Sequence, residues 1–499
     1  MRNFIFRSLL KMKKYKALVV IVIILNILFK IPSLLEPLSY GDECIYLALG
    51  RAFQKGAVFY RDIHDNKPPL LYFIAALANG KLAYFRLISI IWNSINIVLV
   101  AAVAKKIVKN KWSAPIAAFI FFIFTLLPEG RVANGEIFMI MPATLAILMT
   151  LKNKQENYWW FLIGLCFSIA FLFKVPIAFD FAGFILAVFF FSKPDFSPIQ
   201  NIKGIFSAFK NKRFYLVIAG FLFPILLSIL YYSQKGAFTP YVRSALMQNI
   251  GYLSSWTGKN TGLYERAAIV ALMSLFIFSW RKKLSFAFYL PALMTVFGLF
   301  GVFLSERPYP HYLIEIAPWA VILLTVLLFQ KKLKQLIISL LIIFLTIAGI
   351  IKFKFWWYEF FPYYYNFIEF SLGKKNKTEY FRYFGNKVLE DYQLAGFIKE
   401  KTKPSDRIFI WGDGACSYVL SDRLPSGRYT VNYHIFDFNG FNETIRDIKT
   451  HSTPMIIALK SEARNFPQLE NLLKENYVLV QNFKFAKVYK FINQNQWLK

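Results

Sequence analysis

Two adjacent carboxylates, Asp42 and Glu43, stand in "YGDECIYLALG" (40–50), directly after the first strongly apolar run of the chain. Carboxylates in such a place can cap a helix, hold a metal ion or take a proton from a reacting hydroxyl. Ser39-x-x-Asp42 has the spacing of a capping box, and acidic residues favour a helix N-terminus. Capping and proton abstraction are compatible, because a helix N-terminus is a rigid mount for a carboxylate. The residues that follow, to Lys55-Gly56, read as an amphipathic surface helix with glycine as its stop. In the same loop, "DNKPPL" (65–70) sets Lys67 before two prolines. Proline suits the first turn of a helix, where backbone N–H groups are free. The positive end of a helix and an adjacent ammonium together form an anion site, suited to the phosphate of a membrane lipid. The plainer reading is a lysine reaching up to the headgroups.

Further candidates stand in later loops. "PEGRVANGEIF" (128–138) puts Glu136 at the start of an apolar run, where a lone carboxylate is costly unless used or paired. Arg131 is its nearby partner in the structural reading, and a phosphate-binding cation in the functional one. "SERPYPHYLIEIAP" (305–318) offers His311 and Tyr312 for a substrate hydroxyl or phosphate; a lone histidine at an interface is otherwise structural. Lys174 and Asp180 are placed to pair with each other. Tyr60, Asp62 and His64 of the first loop, and Arg243 among the aromatic residues of 232–265, complete the substrate-contact candidates. Cys44, Cys166 and Cys416 have no metal spacing and form no even disulfide set. There is no nucleotide-phosphate loop and no metalloprotease helix, so no nucleotide is expected.

The elements that must position these residues are membrane helices. Of the 499 residues, 57% are hydrophobic and 19% aromatic, which marks a polytopic membrane protein. The net charge of +31 would suit nucleic acid, but its distribution gives it another meaning. Apolar runs fall at 17–35, 83–104, 113–128, 136–151, 158–175, 177–192, 214–231, 266–280, 284–304, 312–330 and 335–351, about eleven spans. The first follows a basic leader and lacks a small-residue cleavage site, so it reads as an uncleaved anchor with its N-terminus in the cytoplasm. Counted from there, "KKIVKNK" (105–111), "KNKQEN" (152–157), 193–213, "RKK" (281–283) and "KKLK" (331–334) all fall inside. The loops 36–67, 129–135, 232–265 and 305–311 fall outside. Lys and Arg collect on one side throughout, next to anionic headgroups and with no need of nucleic acid. Pro68–Ala78 is kept out of the span count as a helix lying in the outer interface, since counting it as a span would reverse every later loop.

Composition also divides the chain. Residues 1–352 form the transmembrane part, with 36–82 as its large first outward loop. An aromatic interfacial linker follows at 353–387, and 388–499 reads as a soluble α/β domain outside the membrane. There, "RIFIWG" (407–412), "PMIIALK" (454–460) and "NYVLVQNF" (476–483) are strand-like, while "VLEDYQLAGFIKEK" and "PQLENLLKEN" are helix-like. The expected architecture is an all-α polytopic membrane protein with a small C-terminal α/β extracytoplasmic domain.

"GDE" after the first span, the G-x3-Y-R-D of Gly56–Asp62, and "KPPLLY" followed by Arg86–Ser89 resemble the lipid-linked-sugar glycosyltransferases of the GT-C fold. The nearest branch is similar to the protein O-mannosyltransferases and lipid A aminoarabinose transferases. "ANGEIF" and "HYLIEIAP" fit as well, and the resemblance covers roughly 15–350. It implies that Asp42 is the catalytic base, with Glu43 and Glu136 as supporting acids able to hold a divalent cation, and that Lys67 binds the phosphate of a polyprenyl-phosphate sugar donor. The family often carries an acidic pair where this chain has only Glu136 next to Gly135, which leaves a fixed metal requirement open. The implied acceptor is an envelope glycan, lipid or protein, reached on the outer face of the cytoplasmic membrane with inversion at the sugar. The competing reading is a transporter or flippase of lipid-linked sugars without bond chemistry. That reading predicts midplane charges and two repeated halves, whereas the charges here cluster at span ends and no repeat is seen.

Overall fold

The computed structural model describes residues 14–127, 129–152, 156–191, 209–248, 261–330 and 332–492. The basic leader before Lys14, most of the basic stretch 193–213 and the 249–260 part of the third outward loop lie outside the described residues. Among the described residues six helices are long and apolar enough to cross a membrane: Lys14–Leu34, Leu82–Ile107, Lys212–Gln234, Gly262–Lys283, Phe286–Phe303 and Leu333–Lys352. Five shorter apolar helices are Ser113–Leu126, Gly135–Leu151, Asn157–Phe173, Ile177–Phe190 and Ala317–Phe329. Together they fall one for one on the eleven expected runs. A helix suits lipid because it satisfies its backbone internally. Its lipid-facing stripe is visible on Leu333–Lys352, where Leu340, Phe344, Ile347 and Ile351 are all exposed at helical spacing while Ile338 and Ile342 are buried. The expected short helix after the first loop is Leu70–Leu77. At about 1.5 Å per residue it reaches only about 12 Å and cannot cross. Asn79 and Gly80, both with positive φ, turn the chain before the next span.

The chain divides into two compact units that do not follow chain order. One holds Met1–Ile31, Arg86–Leu230 and Leu246–Glu359, that is, the apolar helices. The other holds Pro32–Phe85, Tyr231–Ala245 and Phe360–Lys499, so the first loop folds with the C-terminal domain.

In this second unit a five-stranded sheet is built from β1 (Arg407–Trp411), β2 (Leu424–Pro425), β3 (Met455–Leu459), β4 (Tyr477–Asn482) and β5 (Ala486–Phe491), in the order β2-β1-β3-β5-β4. β1 runs parallel to β2 and β3, while β5 runs antiparallel to β3 and β4. Side chains alternate across a strand. Ile408, Ile410 and Ile457 therefore join Leu394 and Ile398 in one core, and Phe409, Trp411 and Ile456 join Ile448, Leu469 and Leu472 in the other. The strands read from the sequence are β1, β3 and β4. β2 and β5 were not, because one has two residues and the other is interrupted by Lys487 and Lys490.

The helix Gly41–Gln54 differs from the surface helix expected. Its residues from Glu43 to Gly50, and Ala52, are buried. It lies against Leu70–Leu77 at Gly50, where a Cβ would come within 2.6 Å of the Ala76 nitrogen. It ends as expected, at Lys55 followed by Gly56 with φ +90. A disulfide between Cys44 and Cys416 ties it to the C-terminal domain. Arg51 adds hydrogen bonds of 2.8 and 3.1 Å to Asp422.

Candidate functional site

Asp42 stands in the first turn of Gly41–Gln54, but the capping reading fails. The N-cap is Tyr40, and no side chain caps the helix. Instead, the Tyr46 hydroxyl, one turn on, donates to Asp42 Oδ2 at 3.0 Å. Lys67 Nζ lies 3.8 Å from the same oxygen and 4.9 Å from the Tyr46 ring centroid. The Lys67 side chain is only 17% exposed, while the Asp42 side chain keeps 35% of its surface. Glu43, its sequence neighbour, is fully buried, so the two acids have different environments.

A third acid belongs to this group and was passed over in the sequence. Asp65 Oδ2 lies 3.7 Å from Lys67 Nζ, and its side chain is 1% exposed. The Tyr72 hydroxyl donates to Asp65 at 2.9 Å and accepts the Lys67 backbone N–H at 2.9 Å. The Tyr60 hydroxyl, fully buried, donates to the Lys67 carbonyl at 2.8 Å. Lys67 is thus held at its N–H, its carbonyl and its ammonium. The only signal for Asp65 was its place in "DNKPPL".

The other first-loop candidates are each held by bonds within the fold. Tyr60, with φ 71, has its hydroxyl on the Lys67 carbonyl and so helps to position that lysine. Asp62 accepts the Val58 N–H at 2.8 Å and is paired with Arg61, which closes the turn. Burial opposes the charge of Asp62, but these bonds outweigh it and hold the carboxyl below its usual range. His64 is buried; its Nδ1 lies 3.2 Å from Ser244 Oγ, and its ring centroid 4.6 Å from that of His434. Arg243 lies over Phe438, 5.1 Å from the ring centroid.

The remaining candidates lie in the unit of apolar helices, and here the expected pairing is corrected. The partner of Glu136 is Lys174, not Arg131. Asp180, expected to pair with Lys174, instead accepts the Trp319 indole N–H. Lys174 also lies 4.3 Å from the Tyr312 ring centroid, and His311 Nε2 is 3.8 Å from Glu136. His311 Nδ1 lies 2.6 Å from Glu129, which also accepts its backbone N–H at 3.2 Å. Burial pushes the Glu129 carboxyl up, but the His311 bonds outweigh it and leave it below the usual range. Glu136, His311 and Tyr312 therefore converge, joined by Glu129 and Lys174. Among the described residues no group of three or more His, Cys, Asp or Glu could hold a metal ion.

Residues 66–226 match a family model described as dolichyl-phosphate-mannose-protein mannosyltransferase. That range includes Lys67, Glu136 and Lys174 but not Asp42. The crystal structure of ArnT from Cupriavidus metallidurans bound to undecaprenyl phosphate is similar with a TM-score of 0.58 and 13% identity, over 95% of this chain and 98% of that one. The apo structure of the same protein is similar with a TM-score of 0.52 and 12% identity, over 94% and 97%. A search of curated protein sequences finds no match. The resemblance to the mannosyltransferase- and ArnT-like proteins is borne out: the chain is a multi-pass membrane protein of the GT-C fold with a small C-terminal sheet domain.

Proposed function

We propose that this protein is a glycosyltransferase that moves a sugar from a polyprenyl phosphate to an acceptor hydroxyl on the outer face of the cytoplasmic membrane. The observation that carries the reading is the pairing of a half-exposed carboxylate, Asp42, with an ammonium 3.8 Å away that is fixed by its own backbone. A fold shared with a protein that binds undecaprenyl phosphate supports it.

In this reading Lys67 holds the lipid phosphate. The acceptor oxygen attacks the anomeric carbon as the bond from that carbon to the phosphate oxygen breaks. The electron pair leaves with the phosphate, where the Lys67 ammonium stabilises the developing charge. The acceptor proton passes to Asp42, oriented by Tyr46. Attack opposite the leaving phosphate inverts the anomeric centre. Buried Glu43 supports the fold around Asp42 rather than the transfer itself.

The outward orientation of the first loop and C-terminal domain draws on two independent features. Basic residues collect in the alternate loops, and the Cys44–Cys416 disulfide belongs in an oxidising compartment.

The test is Asp42→Asn with purified, labelled polyprenyl-phosphate sugar. Transfer is expected to vanish while thermal stability and donor binding persist. Wild-type transfer by this variant would remove Asp42 from the mechanism. Lys67→Ala is expected to weaken donor binding, and unchanged affinity would remove Lys67.

A further inference from the structure

The C-terminal domain carries a set of unsatisfied polar groups, and one of its members, His434, comes up to Asp65. Thr430 Oγ1, both amide atoms of Asn432, both ring nitrogens of His434 and Nε2 of His64 are buried, with no hydrogen-bond partner among the described residues. The four side chains are each 1% exposed or less. Buried polar groups in native proteins are nearly always paired, so such a concentration in one stretch needs a reason. It is not a damaged part of the fold. Around it, the His64 N–H donates to the Arg428 carbonyl at 2.8 Å, and Thr453 Oγ1 donates to Ser426 Oγ at 2.6 Å. Val431 is extended, so Thr430 and Asn432 leave the chain on the same side.

The location is specific. His434 Nε2 lies 3.7 Å from Asp65 Oδ1, and Asp65 and Asp42 lie 3.7 and 3.8 Å from the Lys67 ammonium. A group joined to a phosphate at Lys67 is therefore within reach of His434. The chemistry is also specific. Burial pushes His434 down to about 4, so its imidazole is neutral near pH 7. Amide, hydroxyl and neutral imidazole both donate and accept, and carry no charge. Such groups match a ring of neutral hydroxyls.

We propose that Thr430, Asn432, His434 and His64 form a subsite for the hydroxyls of the donor's sugar, so that the C-terminal domain selects which sugar is transferred. This rests on the donor reading above. It gives the domain a role that its fold alone does not suggest. It also explains why the domain is tied to the first loop by a disulfide and by the Arg51–Asp422 pair.

The subsite predicts an unusual pair of effects. Groups kept for a ligand are unsatisfied without it, so apolar replacement should keep or raise stability while recognition is lost. The experiment uses the full chain in nanodiscs and measures binding of undecaprenyl phosphate with no sugar, and of its mannosyl, glucosyl, galactosyl and 4-amino-4-deoxyarabinosyl forms. Wild type is expected to bind at least one glycosylated lipid tenfold or more tightly than the bare lipid. Thr430→Val, Asn432→Leu and His434→Leu are expected to abolish that gain, bind the bare lipid as wild type does, and melt no lower at pH 7.5. Three results would overturn the subsite: a gain that survives the variants, a lowered melting temperature with loss of bare-lipid binding, or no glycosylated lipid bound better than the bare one by wild type. Failure of wild type to bind even the bare lipid would instead overturn the donor reading, and the subsite with it.

Discussion

Lys67→Met separates the electrostatic role of Lys67 from its chemical one. The ammonium lies 3.7 Å from Asp65, whose side chain is 1% exposed. At an effective dielectric near 20, unit charges at this distance attract by about 4.5 kcal/mol. The attraction to Asp42 at 3.8 Å counts for less, because that side chain is 35% exposed and screened. Losing the ammonium leaves Asp65 buried, with the Tyr72 hydroxyl still donating to it. Stranding a buried charge in this way costs about 3–5 kcal/mol. Asp65→Asn in the same chain removes that charge and keeps a group that can accept from Tyr72. The double variant is therefore expected to recover most of the stability lost by Lys67→Met. It is not expected to recover donor binding, which needs the positive charge. The assay is a four-member cycle: wild type, each single variant and the double, by thermal unfolding and by binding of undecaprenyl phosphate. Equal melting temperatures across the cycle would refute the buried ion network. Recovery of lipid binding in the double variant would refute phosphate binding by Lys67.

Other consequences can be checked separately. Loss of the Cys44–Cys416 disulfide, which closes a separation of 372 residues, costs up to about 6 kcal/mol by chain entropy. The effect is expected to be smaller because the spans between the cysteines stay inserted; Cys44→Ala/Cys416→Ala should melt lower and, unlike wild type, be insensitive to reductant. Burial holds His434 at about 4 and His64 well below its usual range, while both ionise near 6.5 in the unfolded chain. Protonation therefore favours unfolding: stability is full above about pH 6.5 and falls as pH drops towards 4. Melting curves across that window should show the fall, and His434→Leu should flatten it. Gly50→Val should strongly destabilise or misplace Gly41–Gln54, since even a Cβ meets Ala76 backbone; a wild-type melting temperature would contradict the packing.

The spans were legible because lipid imposes a local rule. Each must be apolar over most of its length, and Lys and Arg mark one side, so windows of about twenty residues suffice. The motif around Lys67 stood out for a similar reason, since the Pro-Pro after it is a local signal. What was missed depends on partners far away in sequence. Asp65 matters only because Tyr72 and His434 close around it. The capping box at Ser39 and Asp42 was a correct spacing that the backbone did not use, because Tyr46 took the carboxylate. The disulfide was within reach: Cys166 lies in a span, which leaves Cys44 and Cys416 as the two cysteines assigned outside.

By itself, then, the sequence determined the apolar helices seen among the described residues, their order, and the α/β character of the C-terminal part. These follow from periodicity and composition, which act over a few turns of chain. Only the tertiary structure decided that the first loop and residues 360–499 fold as one unit, that Lys174 rather than Arg131 answers Glu136, and that His434 approaches Asp65. Such pairings are choices among many similar side chains, and only the packing of distant segments selects among them.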